Sequence, residues 1–218
     1  MTIRNLRVTK RLVAAVATAA LGATLLALPS SPVGATQVVA EARISGLNRY
    51  ATAASVAQAS TIANNGNIIL VSGQNFPDGL TAAGLSGAAG APILLTTTGA
   101  LPAVTANAMG TIFGTSITKT VHILGGEAAV SADVAEQVTS LGYTVNRVAG
   151  ADRFETAAAI ASLQASLAPV GLTSVAGVPY KTAIVVQGGK FRDALAAGTL
   201  AHRQHLPMLL TKPDELPA

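Results

Sequence analysis

Short, unbroken apolar runs alternate with longer Ala-rich stretches along most of the chain. Ile68-Ile69-Leu70-Val71, Pro92-Ile93-Leu94-Leu95-Thr96 and Thr120-Val121-His122-Ile123-Leu124 are continuous rather than alternating, the pattern of strands buried on both faces. Between them the spacing predicts helices. One covers 50–63, with Val56 and Ile62 among its larger apolar residues, and is broken by Asn64-Asn65-Gly66-Asn67. A second starts at Asp78 behind Pro77 and runs to 89, and a third opens at Pro102 and runs to about 113. Gly125-Gly126 ends the third strand, and Ser131 is expected to cap a helix reaching 141. Apolar strands separated by helices of about 10–15 residues argue an α/β fold, a parallel sheet with helices on both faces.

The pattern then repeats. Arg43-Ile44-Ser45-Gly46-Leu47-Asn48-Arg49-Tyr50-Ala51-Thr52-Ala53-Ala54 returns 104 positions later as Arg147-Val148-Ala149-Gly150-Ala151-Asp152-Arg153-Phe154-Glu155-Thr156-Ala157-Ala158. Residues 69–103 return 115 positions later as 184–218, with 15 of 35 residues identical, including Phe76/Phe191, Asp78/Asp193 and Pro92/Pro207. One supersecondary unit is therefore used twice. Repeated modules suit a repetitive ligand, which they hold by multiplicity, better than they suit a single asymmetric catalytic site. The second copy carries 11 extra residues within 167–181, where Pro169, Gly171, Gly177 and Pro179 predict a surface loop with no added element. It stops at Pro217-Ala218, the counterparts of Pro102-Ala103, whereas the first copy continues through 104–146. That reads as a unit cut short, in a fragment or an early-ending coding region, because a parallel sheet stopped there leaves an unpaired edge.

The first 35 residues read as an export signal: Arg4, Arg7, Lys10 and Arg11, an apolar run over 12–28, then Val33-Gly34-Ala35 as the cleavage site. Residues 36–42 follow as a short linker. The alternative, an uncleaved membrane anchor, suits the run poorly, because Ala and Thr dilute it and Leu28-Pro29-Ser30-Ser31-Pro32 ends it. No membrane association is expected after cleavage, and without cysteine there is neither a lipoprotein anchor nor a disulfide. Of 14 Lys+Arg, four precede position 36, so the remainder balances its 10 Asp+Glu. Nucleic-acid binding is a poor expectation: cations are scattered, Trp is absent and aromatics are 3% of the chain.

The ordered set Arg-x-x-Gly-x-[Asn/Asp]-Arg-[Tyr/Phe]-x-Thr-Ala, an apolar strand, Phe-x-Asp-x-Leu, Pro-x-Leu-Leu-Thr and Ile-Leu-Gly-Gly resembles the type 2 cell wall-binding repeat of exported Gram-positive proteins. The resemblance runs from Arg43 to Ala218 and implies tandem Rossmann-like or flavodoxin-like modules with parallel sheets, repeat 1 over 43–146 and an incomplete repeat 2 over 147–218. It further implies non-covalent retention on the wall through an anionic secondary polymer, teichoic acid-like or a secondary polysaccharide. Family members often carry three copies beside an amidase, protease or adhesin domain, so a catalytic domain, if there is one, is expected outside these residues. Packing against a further repeat, or self-association, is also expected.

The candidate ligating residues are the recurring ones. Arg49 and Arg153 sit just before a helix, and a guanidinium holds phosphate or carboxylate bidentately. The same recurrence also suits a structural ion pair, Arg49 with Asp78 and Arg153 with Asp193. Asn48, Asp152, Thr52 and Thr156 are helix-start types explained by capping. Asp78 and Asp193 offer one carboxylate per copy, whereas glycosidic hydrolysis normally uses a pair. Gly125 and Gly126 allow backbone amides to approach an anion, or simply make a tight turn. Gly84-x-x-Gly87-x-x-Gly90 lies within a helix and predicts close helix packing instead of a dinucleotide fingerprint, so no cofactor is expected. His202 and His205 lie three apart on a predicted helix, but without further clustered ligands no metal is expected. No nucleophile elbow or His-Glu-x-x-His appears. The competing functions are an enzyme working at the sheet's C-terminal ends and a structural surface-layer subunit.

Overall fold

The computed structural model describes residues 43–60, 65–75, 77–167, 172–175, 178–215 and 217. The expected signal peptide and linker, Phe76, and part of the Asn-rich break lie outside the described residues. Described elements follow in the order α1 (Arg49–Ala59), β1 (Asn67–Ser72), α2 (Pro77–Ala89), β2 (Ile93–Thr96), α3 (Ala103–Phe113), β3 (Thr120–Leu124), α4 (Ala132–Ser140) and β4 (Thr144–Val148). The second copy adds α5 (Arg153–Leu167), β5 (Leu172–Val175), β6 (Val178–Lys181), β7 (Ile184–Gln187), α6 (Phe191–Gln204) and β8 (Met208–Thr211).

β2, β1, β3 and β4 form one parallel sheet in that order, with Leu70 beside Leu94 and Ile123, and Leu124 beside Val148. Ile68 to Leu70 are fully buried, because alternate residues of β1 meet different layers. Ile68 and Leu70 pack with Leu94, Val121 and Ile123 against α1, α3 and α4, through Ala57, Met109, Phe113 and Val134. Ile69 and Val71 pack with Leu124 and Val148 against Leu85 and Ala89 of α2 and Ile160 of α5. Each such side chain contributes roughly 1.5–3 kcal/mol of burial free energy. The expected two-faced α/β layering is the observed one.

α2 belongs to both copies. Its Leu80 faces away from the first sheet into a third cluster, with Ala157 of α5, Ala194 and Ala201 of α6, Val186 of β7, and Met208 and Leu210 of β8. β7 and β8 pair in parallel as a second, two-stranded sheet. Small residues permit this closeness. A Cβ on Gly87 would lie 2.0 Å from the His202 carbonyl oxygen, and one on Gly84 2.2 Å from that of Leu206. The expected close packing is thus met at Gly84 and Gly87. Gly90 serves differently, as the positive-φ residue (57°) just past α2.

Four expectations need correction. α1 starts at Arg49 and ends at Ala59, since Ser60 is extended and donates its hydroxyl to the Ala57 carbonyl. The extra residues of the second copy contain an antiparallel hairpin, β5 with β6, instead of only a loop. Gly and Pro punctuate this stretch, but Thr173, Val175, Val178 and Tyr180 are strand-favouring types within it. Ser131 stands at the start of α4, yet its hydroxyl makes no cap bond and is buried without a partner. His205 lies past the end of α6 in the left-handed conformation, at the place Gly90 holds in the first copy.

A buried polar row that the apolar pattern concealed crosses the first sheet. His122, 4% exposed, has Nε2 3.0 Å from Asn67 Oδ1 and Nδ1 3.1 Å from the Asn146 side-chain nitrogen. Asn67 commits its own amide nitrogen to the Asn65 carbonyl. The network therefore assigns the proton to Nε2, and burial holds the imidazole below its usual pKa.

Candidate functional site

The strand order β2-β1-β3-β4 reverses direction between β1 and β3. In open parallel sheets ligands bind at such a switch point, outside the carboxyl ends of the strands. A crevice of about 190 Å³ lies there. Asn75, Pro77 and Asp78 reach it from the exit of β1, Gly126, Ala128 and Ala129 from the exit of β3, and Gly150, Ala151, Asp152, Arg153 and Thr156 from the exit of β4. It is smaller than a drug-sized pocket and suits one unit of a chain. The first copy supplies two walls and the second copy the third.

Each functional side chain there has a local reason for its position. Asp152 starts α5, its Oδ1 accepting from the backbone of Phe154 (2.8 Å) and Glu155 (2.9 Å), as an N-cap should. Asn48 does the same for α1, accepting from Ala51 at 3.0 Å. The threonines are not caps: Thr156 accepts from the Gly150 amide (3.0 Å) and Thr52 from Gly46 (3.1 Å), folding the preceding loop onto the helix.

Arg153 Nη1 donates to the Gly188 carbonyl at 2.9 Å, and Arg49 Nη1 donates likewise to Gly73. Gly73 and Gly188 are repeat counterparts at the exits of β1 and β7. A Cβ on either would strike the following aromatic, Tyr50 Cε1 at 2.7 Å or Phe154 Cε1 at 2.9 Å. The Arg-[Tyr/Phe] pair is therefore a clamp on a strand-exit glycine. The expected ion pairs within each copy are not formed. Among the described residues the ion pair within 4 Å is Lys212 with Glu215, far along the chain from either aspartate.

Asp78 instead faces the other copy. Burial raises its carboxyl above the usual range, and the Arg153 guanidinium draws it partly back. Gly125, at φ 104°, lies against it: a Cβ there would sit 2.5 Å from Asp78 Oδ2. The structure thus brings together Asp78, Gly125, Gly126, Asp152 and Arg153 among the candidates. It leaves Asn48 and Arg49 exposed at α1, and Asp193 exposed on α6, away from the crevice. By repeat position, these three are the two halves of the same junction.

Sequence reasoning missed Arg147. Its guanidinium donates to the carbonyls of Gly125 (3.0 Å), Val130 (2.8 Å) and Ser131 (3.2 Å), holding the loop that floors the crevice. Its recurrence as Arg43/Arg147 was the available signal. A larger depression, about 490 Å³, lies by α3 and α4 and is lined by Leu101, Asp133, Glu136, Gln137 and Leu141. It has no cation in its lining and draws no residue from the second copy, so the smaller crevice is the better candidate. Among the described residues, no group of three metal-ligating side chains occurs and no helix is long and apolar enough to cross a membrane.

Tandem parallel α/β modules, joined so that a crevice falls at their junction, define a repeat-built binding protein. The chain belongs to the cell wall binding domain 2 (CWB2) family, whose model matches residues 43–135 and 147–218. It is 31% identical over 169 residues to the N-acetylmuramoyl-L-alanine amidase LytC of Bacillus subtilis (strain 168), covering 78% of this chain and 30% of that protein. It is 33% identical over 175 residues to the amidase enhancer of the same organism, covering 80% and 22%. The chain therefore spans less than a third of either relative. Among solved structures it is similar to Cwp8 from Clostridium difficile (TM-score 0.68, 34% identity, 80% of this chain and 28% of that one). Cwp6 from the same organism shares the fold (TM-score 0.69, 24% identity, 84% and 28%).

Proposed function

We propose that this chain is a non-catalytic anchor that holds an exported protein on the Gram-positive wall by binding an anionic secondary polymer at the junction between its repeats. The observation that carries the reading is the assembly of Arg153, Asp78 and the Gly126 turn, one copy's arginine against the other's aspartate, at the switch point of the sheet. Arg153 commits Nη1 to Gly188, and its remaining N–H groups are available to an oxyanion. Contacts of this size are individually weak, so retention grows with the number of junctions engaged. Asn48 and Arg49 at one end, and Asp193 at the other, would complete equivalent junctions with a further repeat or a second copy.

Membership of a wall-binding family supports the reading, as does similarity to part of an amidase, in which the catalytic domain would lie outside the matched region. Secretion by the N-terminal signal with cleavage after Ala35 belongs to the same proposal. Asp78 and Asp152 share the crevice, but Asp152 is committed to capping α5, which argues against a hydrolytic pair. The test is retention of residues 36–218 on purified Gram-positive walls before and after acid removes the secondary polymers. Retention that disappears with the polymers is expected. Equal retention on stripped walls would overturn polymer anchoring.

A further inference from the structure

We propose that Asp78 accepts a hydroxyl hydrogen from the bound unit, so that the crevice recognises an oxyanion and a neighbouring hydroxyl together instead of a bare negative charge. This rests on the crevice being the polymer site. Asp78 is only 9% exposed, yet among the described residues its carboxylate has neither a hydrogen-bond donor nor an ion pair within 4 Å. Among the described residues the fully buried side-chain polar atoms without a partner are Ser131 Oγ and Gln164 Oε1, so the Asp78 oxygens keep access to the crevice that the residue lines and are open to a donor entering it. The nearby Thr81 hydroxyl turns away and donates to the Asp78 carbonyl (3.0 Å). The one side of the carboxylate that is fixed rests on Gly125, whose missing side chain makes room for it.

The charge around it sharpens the point. Facing Asp78 across the crevice are Arg153 and Asp152 from the start of α5, and the β3 exit contributes the uncharged Gly126, Ala128 and Ala129. One guanidinium against two carboxylates is not a cationic site. A ligand contributing only negative charge would gain from Arg153 and lose to Asp78. A ligand that also brings a hydroxyl satisfies both, and an isolated inorganic anion does not. A raised carboxyl pKa from burial fits an acceptor waiting for a donor.

The substitution Asp78→Asn separates the alternatives by sign. Measured as half-saturating retention on walls, with cooperative melting as the fold control, an acceptor role predicts a loss of about tenfold. Were Asp78 merely a repelling charge, the same change would tighten binding; unchanged or tighter retention overturns the proposal. Parent binding should also weaken as pH falls through the Asp78 protonation, while Asp78→Asn stays level. Should Asp78→Asn fail to fold, oxidation of the walls decides the matter. Periodate followed by borohydride destroys vicinal diols and spares phosphodiesters, so parent retention should fall if the bound hydroxyl belongs to a diol; undiminished retention would refute a diol as the donor to Asp78. A parent that ignores untreated walls would instead sink the anchoring reading itself, and this inference with it.

Discussion

Replacing Gly87 by alanine tests whether the two copies dock as closely as the structure has them. A methyl on Gly87 would sit 2.0 Å from the His202 carbonyl oxygen, 2.8 Å from its carbon and 3.1 Å from its Cα. Ordinary contact begins near 3.4 Å, so α2 and α6 would have to separate by about 1.4 Å, since the obstacle is backbone and cannot rotate away. A gap of that size forfeits a quarter to a half or more of the dispersion attraction along the shared cluster of Leu80, Ala194, Ala201 and Met208. Overpacking of this kind costs about 1–3 kcal/mol. Against it stands a helix-propensity gain of about 1 kcal/mol for Gly→Ala.

Gly110, inside α3, supplies the control, because its nearest atom is the Tyr143 hydroxyl at 3.9 Å and its methyl would meet nothing closer. Gly110→Ala should therefore stabilise by about 0.5–1 kcal/mol, and Gly87→Ala, net of its propensity gain, should destabilise by up to about 2 kcal/mol. In thermal melts of a chain this size each kcal/mol is worth about 2–4 °C. The two variants should move in opposite directions. If Gly87→Ala raises the midpoint as Gly110→Ala does, α2 and α6 are not docked at this distance, and the crevice built from both copies loses its geometry.

Three further outcomes follow from the site and its supports. His122 is held below its ordinary pKa in the folded state, so the unfolded chain binds the extra proton first; stability should fall as pH drops below about 6.5. His122→Gln should flatten that slope in urea titrations at pH 5 and 7, and an unchanged slope would show that another group carries it. Arg147→Met should cost about 2–3 kcal/mol in chemical denaturation, because three carbonyls lose a charged donor together; a loss under 0.5 kcal/mol would mean the loop is held elsewhere. Arg153→Gln and Arg49→Gln should lose similar stability, about 1 kcal/mol for the strand-exit clamp, but only Arg153→Gln should reduce wall retention severalfold. Equal retention losses would place ligand contacts at α1 as well as in the crevice.

Much of the fold was legible because the strands are continuous apolar runs. Residues 68–71 and 120–124 could be assigned from hydropathy alone, since both faces of β1 and β3 are covered. Capping types located α1 and α5, where Asn48 and Asp152 do cap. Ser131 shows the limit of that inference: residue type gives the position, but whether a hydroxyl turns toward the helix depends on what buries it. The pairing of 172–175 with 178–181 is hard to read from sequence because glycine and proline surround and interrupt these four-residue runs. Only half of the site was legible. Recurrence marks Arg153 and Asp78 as paired signals, but it cannot say which copy's arginine meets which copy's aspartate. That assignment is a property of α2, which packs on two sheets at once; the departures Gly84/Thr199 and Gly87/His202 mark the docking helix but not which charged side chains meet across it. Arg147 was marked by its recurrence with Arg43, but its role was not, because backbone carbonyls as partners have no sequence signature.

The junction also explains why the copies have not stayed alike where they touch. Gly84 and Gly87 of α2 correspond to Thr199 and His202 of α6, and the two glycines receive the second copy's backbone, Gly87 at His202 in α6 and Gly84 at Leu206 just past its end. Were both helices to carry glycine, each would lose about 1 kcal/mol per site in propensity for one shared contact. Were both to carry the larger residues, the 2.0 Å space at Gly87 could not exist. The asymmetric solution places small residues on one side only, and so specifies which copy docks on which face. Leu80 and Leu85 of α2 are buried, whereas their counterparts Leu195 and Leu200 are 62% and 52% exposed. The exposed pair is thus no evidence of a poor second core. It is the same apolar face without the neighbour that α2 finds in α5 and α6, and the crevice described lies where that neighbour is present. Binding would then belong to the boundary between repeats, and a lone repeat would hold the parts of a site without assembling one.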